Sequence, residues 1–277
     1  MATLAQKLPY THPFAGGFPY RGSQRLPSDP DALTYLAAVA AADGAPVEVG
    51  VATAVDDFFK GCKADPSGTP GRSNWDAIKA SCILCGARTL AGALVPLVGT
   101  APTNVADGFV SGDYTRGGAA PGLQGDGTSY LDSGRNNNAD LQNDRHLSVY
   151  ATSLQSNSGM YIDGQPSGGS LSYLRGQGTA LTSPLNSSFR QLVNGHTLPG
   201  LLGSSRSAST SLTILGSGIQ QTFSDTSVAP PSRSIGVFGP NPVSDAKIAF
   251  YSIGEALDLE ALDARVTALV TAIGAAV

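Results

Sequence analysis

The residue types in this chain that could do chemistry are few and scattered. The pair Cys82-x-x-Cys85 invites a metal or redox reading. A structural zinc wants four ligands; the third cysteine, Cys62, lies well upstream, and His12, His146 and His196 are dispersed. A redox pair would sit beside a βαβ pattern, which is absent. Both cysteines continue the spacing of Trp75 and Ile78, so they are expected to be reduced, metal-free core residues. Glycoside hydrolysis needs two carboxylates facing each other across the bond. The nearest set, Glu255, Asp258 and Glu260, falls where a helix should start, and acids there are ordinary dipole partners. No G-x-S-x-G occurs, and "GLQGDGTSY" lacks the lysine of a phosphate loop. The chain is therefore expected to be no enzyme and to use no metal or cofactor. One polar stretch, "DSGRNNNADLQND" at 132–144, offers Asp132, Arg135, Asn136, Asn137, Asn138 and Asp140 to a glycan. No calcium spacing accompanies it, and a plain surface loop is the competing reading.

These residues sit in a chain of 277 residues with 14% charged side chains and a net charge of -4. That length allows one large domain or two modest ones. The mild acidity, without clustered Lys or Arg, argues against nucleic acid. There is no apolar h-region near Met1 and no run long enough to span a membrane, so synthesis in a reducing cytoplasm is expected.

The positioning elements follow from periodicity. Residues 1–28 mix Pro, Gly and aromatics without period and read as an extended arm. Tyr10, Phe14, Phe18 and Tyr20 are its candidate anchors on a neighbouring subunit. Residues 29–104 read as a helical assembly region. Asp29-Pro30 is an N-cap and N1 pair, and the first helix places Leu33, Leu36 and Ala40 on one face before Gly44. A second carries the stripe Val47, Val51, Val55, Phe58 and Cys62. A third should start near Asn74, with Trp75, Ile78, Cys82 and Cys85 recurring at three and four. Pro96 breaks the next apolar run into an extended or tight connection.

From about residue 105 the period becomes two. Short alternating runs bounded by Gly, Ser, Asn and Asp, such as "LSVYATSL", "TSLTILGSG" and "AKIAFYSIG", predict an antiparallel sandwich or barrel over 105–277. The chain ends on a helix whose apolar stripe is Leu262, Val266, Leu269, Val270 and Ile273. That stripe either covers the sandwich or meets its own copies about a symmetry axis.

"GDGTSYLDSG", "SSRSASTSLTILGSGIQQTF" and "DAKIAFYSIGEALDLEALDARV" resemble the first strand, an inner hairpin and the closing strand-turn-helix of concanavalin A-like (laminin G-like) jelly rolls. The fold class expected is thus mainly β: an antiparallel jelly-roll sandwich, a helical N-terminal part and a short C-terminal helix. More narrowly, "GCKAD", "WDAIKASCILCGARTLAGALVPLVGTAPTN" and "FVSGDY" resemble virion structural proteins encoded by tailed bacteriophages and prophages. That resemblance implies a virion surface protein made in the bacterial cytoplasm. It would be a capsid decoration (cement or knob) protein that forms a homo-oligomer, with a trimer favoured, and contacts the major capsid protein. The alternative it leaves open is a tail-associated, lectin-like protein that binds a host-surface glycan.

Overall fold

The computed structural model describes residues 25–105, 108–156, 159–164, 171–240 and 242–277. The four aromatics of the expected arm, Tyr10, Phe14, Phe18 and Tyr20, lie outside them. The last part of that arm is described, and it packs on a helix. Arg25 pairs with Asp56 and Asp57, and the amides of Ser28 and Asp29 both donate to Asp56, at 2.8 and 2.7 Å.

Helix α1 (Pro30–Asp43) starts as expected: the Asp29 carboxylate accepts from the amides of Asp31 and Ala32, and Gly44 closes the helix with a left-handed φ of 65°. Its buried face is Ala32, Tyr35, Leu36 and Val39, so Leu33 lies off the face assigned to it. Helix α2 (Val49–Ala64) buries Val51, Val55, Phe58 and Cys62, the stripe read from the sequence. The third expected helix is corrected. Helix α3 (Asn74–Ala77) lasts one turn, held by a Ser73–Asp76 capping box, and the chain then becomes strand β1 (Ile78–Ile83). β1 lies between two other strands and has both faces covered, so it carries no alternation, and the three-four spacing of Trp75, Ile78, Cys82 and Cys85, which runs through it and past both its ends, imitates a helix. Helix α4 (Leu90–Ala93), β2 (Pro96–Val98) and β3 (Thr103–Val105) follow. The stretch 29–104, expected to be helical, therefore gives strands to both sheets.

The remaining strands run β4 (Tyr114–Thr115), β5 (Gly122–Gln124), β6 (Tyr130–Asn136), β7 (Arg145–Ser153), β8 (Ile162–Asp163) and β9 (Leu171–Gln177). Then come β10 (Ala180–Thr182), β11 (Leu185–Ser187), β12 (Gln191–Leu192), β13 (Gly200–Ala208), β14 (Ser211–Gly216), β15 (Ile219–Ser224), β16 (Ser234–Val237) and β17 (Lys247–Gly254). They form two antiparallel sheets, ordered β15-β14-β13-β7-β17-β1-β2 and β12-β10-β9-β8-β16-β6-β3, with β5 and β11 paired alongside β17 and β9. The molecule is mainly β, as expected, and the sheets face each other as a sandwich.

Alternation builds two cores from one sheet. On β7, Leu147, Val149 and Ala151 point between the sheets, while Tyr150 points to the helices. On β17 a register shift at Ile248/Phe250 puts Ala249 and Phe250 against the helical layer and returns Tyr251 and Ile253 to the inner core. Helix α5 (Leu259–Ala276), capped by Asp258, completes the layer over α2 and β13. Leu262, Val266, Leu269, Val270 and Ile273 are all buried there within one chain, at most 5% exposed. The expectation that this stripe meets other copies is corrected: its apolar face is already spent on α2 and the sheet. No described helix is long and apolar enough to cross a membrane.

Candidate functional site

The residues singled out in the sequence mostly serve the fold. Glu255 holds Arg72 (2.9 Å) and Lys79 (3.2 Å), and Asp258 caps α5. Cys62, Cys82 and Cys85 are free and buried, but on different cores: Cys82 faces the inter-sheet core and takes a contact from the Tyr251 hydroxyl at 3.4 Å, while Cys85 lies under the helices.

The proposed glycan loop divides in the same way. Asp132, on β6, accepts from Ser234 Oγ and from the Gly134 amide. Arg135 clamps Asp140 through two nitrogens. Asn137 is fully buried and accepts from Arg145, which reaches Asn186 at 3.1 Å on its other side. Burial pushes the Arg145 guanidinium down to about 10. Asn136 and Asn138 alone of the six are exposed. Four of the six side chains are thus engaged in closing the end of the sandwich.

The structure gathers a different set. Where α1, the end of α2 and α3 converge, an open cleft of about 820 Å³ is lined by Asp31, Lys63, Thr69, Arg72, Trp75 and Asp76 among others. The only tryptophan of the chain is its platform. Local sequence sets this up. The segment Pro66–Arg72 turns back on itself through Ser67 N–H to Arg72 O (2.9 Å) and Arg72 N–H to Thr69 O (3.2 Å). Gly68 and Gly71 supply left-handed φ values of 83° and 76° that side-chain-bearing residues adopt only with strain. The capping box then starts α3 with Trp75 in its first turn. The indole is held against Phe59, ring centroids 4.4 Å apart, with Lys63 Nζ 5.9 Å from both rings.

A second cleft of about 480 Å³ shares Asp31, Trp75 and Asp76, and continues over Tyr35 and Leu97. Trp75 therefore borders open space on two sides. Its indole N–H donates to no described residue.

Charge in the cleft is internally balanced. Burial opposes the Lys63 ammonium, but hydrogen bonds to Asp29 and Asp31 outweigh it and hold its pKa above the usual lysine value. Arg72 is divided between Asp144 (2.7 Å) and Glu255 (2.9 Å). Both cations are thus already paired with carboxylates, and the cleft offers no spare positive charge to an anion. The Ser73 hydroxyl and amide keep the Asp76 carboxyl below its ordinary range, so it stays an acceptor. An aromatic face with carboxylate acceptors and no surplus cation suits a neutral polyhydroxyl ligand. The sequence held one signal of this site, a lone Trp following the Gly/Pro-rich loop "DPSGTPGRSN"; it was obscured because Trp75 also fits a helical core stripe.

No family model and no curated protein matches this chain. Solved structures do. Domain 4 of AbnA, a GH43 extracellular arabinanase from Geobacillus stearothermophilus in complex with arabinotriose, aligns with 68% of this chain and 98% of its own, at TM-score 0.41 and 12% identity. A GH54 α-L-arabinofuranosidase aligns over 55% of this chain and 41% of its own, at TM-score 0.37 and 11% identity. Both neighbours come from glycoside hydrolases, so the expectation that this chain is no enzyme is withdrawn. At these scores and identities the likeness assigns neither an activity nor a residue to this chain.

Proposed function

We propose that this protein is a glycan-binding module displayed on a virion surface, and that its binding site is the Trp75 cleft. The observation that carries the binding part is the partly buried tryptophan beside Asp31 and Asp76 in a cleft with no unpaired cation. A pyranose presents its apolar C–H face to the indole, and its hydroxyls donate to the two carboxylates. The virion part is supported by the sequence resemblance to tailed-phage structural proteins. It makes the glycan one of the host surface and the role that of receptor binding. The same resemblance supports a second reading, a capsid decoration protein seated on the major capsid protein. An electron-microscopy map of the particle separates the two by showing head or tail location.

The binding test uses the tryptophan itself. Since Trp75 is the sole tryptophan, its fluorescence reports directly on occupancy. Titration with a panel of uncharged oligosaccharides should give a saturable change. Trp75→Ala should weaken binding by about tenfold or more, the scale of an aromatic anchor, measured by calorimetry. Trp75→Phe, which keeps the packing on Phe59, should retain part of it. Asn136→Ala with Asn138→Ala should leave affinity unchanged. No signal with any member of the panel, or loss only on changing Asn136 and Asn138, would overturn the assignment.

A further inference from the structure

Both sheets end on outer strands, and one of these differs from the rest. β2 has three residues and begins with Pro96, β3 has three residues, and β12 has two. Short strands and proline are the usual means of keeping sheet edges from pairing. β15 has six residues, "IQQTFS", with no proline, glycine or charge, and it pairs with β14 in unbroken register. Five of its six residues are exposed and Phe223 is partly buried, so no described element lies along its outer side.

The direction of its free backbone groups can be read off. β14 and β15 are joined by Ser217 and Gly218, both with positive φ, a tight two-residue turn. Gly216 and Ile219 flank it as a hydrogen-bonded pair, and the alternation then makes Thr213 and Thr222 a non-bonded pair. Two contacts agree with this parity. The hydroxyls of Thr213 and Thr222 meet at 2.9 Å, as side chains of close non-bonded pairs do, and Asp225 N–H donates to Thr210 O at 3.0 Å. The N–H and C=O groups of Gln220, Thr222 and Ser224 therefore point away from the sheet.

We propose that β15 is a self-association edge. Two copies pair antiparallel through it about a two-fold axis at Thr222, with Gln220 of each copy opposite Ser224 of the other, making one continuous sheet. Three observations select a second copy as the occupant. The outward groups repeat at 220, 222 and 224, so they are complementary to themselves under a two-fold. The strand carries no charge, so like strands do not repel. Exposed apolar side chains also flank both ends. Ile219 and Leu198 lie at the turn, where the Leu198 amide donates to Ser217 Oγ at 3.0 Å. Phe189 lies at the other end, where Ser188 contacts Asp225 at 3.4 Å. Antiparallel pairing brings each copy's Ile219 and Leu198 toward the other's Phe189. This edge takes the place of the α5 stripe as the surface for self-association, and it is independent of the Trp75 cleft.

The full chain should sediment as a concentration-dependent dimer. Thr222→Pro removes an N–H that β14 does not use, so the protein should stay folded by circular dichroism and sediment as a monomer. Thr222→Lys sets two ammonium groups across the axis and should act likewise. Thr222→Cys should be cross-linked to dimers by a short bis-maleimide, and Thr213→Cys, one strand inward, should not. The three native thiols are buried and should stay silent. A wild-type monomer at high concentration, a dimer that survives both Thr222→Pro and Thr222→Lys, or equal cross-linking at 213 and 222 would each overturn the proposal.

Discussion

His146 shows how a single residue with apparent catalytic promise serves the fold. Its ring lies between the Glu255 carbonyl (2.6 Å) and Ser252 Oγ (2.9 Å), with Ser148 Oγ 2.7 Å beyond, yet all three side chains are buried and no substrate reaches them. Burial holds the imidazole neutral and pushes its pKa down to about 4, against the pull of the Glu255 carbonyl. The unfolded chain binds the proton near pH 6.5 and the folded one only near pH 4, so stability is lost as pH falls through that window. The gap corresponds to about 3 kcal/mol. Denaturant midpoints should therefore fall between pH 6.5 and 4, and His146→Gln should flatten that slope relative to wild type. The cysteines give a second measurement. Burial raises all three thiols to about 12, so an aromatic disulfide reagent should label them only at the rate of unfolding.

At the scale of elements, the decisive event is the conversion of one expected helix into β1. Its register against β17 leaves no room for a side chain at Gly254, where a Cβ would lie 2.2 Å from the Ala77 carbonyl oxygen and 2.8 Å from the Lys79 amide nitrogen. Gly254→Ala must push two backbones apart and should cost about 1–3 kcal/mol or more in chemical denaturation. Helix α5 makes a comparable test. Because Leu262 is fully buried against the helical layer, Leu262→Ala should cost about 2–5 kcal/mol. Val266→Asp with Leu269→Asp should then give unfolded or aggregated protein rather than folded monomers, as gel filtration with circular dichroism would show.

Over the whole molecule, the strands before residue 105 tie the parts into one unit. β1 lies between β17 and β2, β3 completes the second sheet, and Arg72 bridges to Asp144, Glu255 and the Ala256 carbonyl. Unfolding should be a single transition. Trp75 fluorescence, which reports on the helical layer, and far-ultraviolet circular dichroism, which reports on the sheets, should give coincident urea midpoints. Residues 105–277 expressed alone should not form the stable sandwich, because β17 would lose β1 and the sheet containing β17 would lose its helical cover.

The chain's alternation, turn residues and caps specify a mainly β, antiparallel sandwich or barrel, both long N-terminal helices and the closing strand-helix unit, and the jelly-roll resemblance selects the sandwich. Each of those signals is local: a period, a cap, a turn. Features that depend on neighbours are not written in the local sequence. Ile78–Ile83 is a strand because it is covered on both faces, a fact absent from its own six residues. The α5 stripe looked the same whether its apolar face met another copy or α2, and only packing assigned it to α2 and β13. Asn137 and Asp140 read as available loop polarity but are consumed by Arg145 and Arg135. Asp31 and Lys63 are distant in sequence from the neighbours Trp75 and Asp76, and they share a cleft with them only after α1, α2 and α3 converge. Side-chain chemistry and period belong to the sequence. Which polar groups stay free, and which apolar faces and edges remain uncovered, is decided by long-range contacts that exist only in the folded chain.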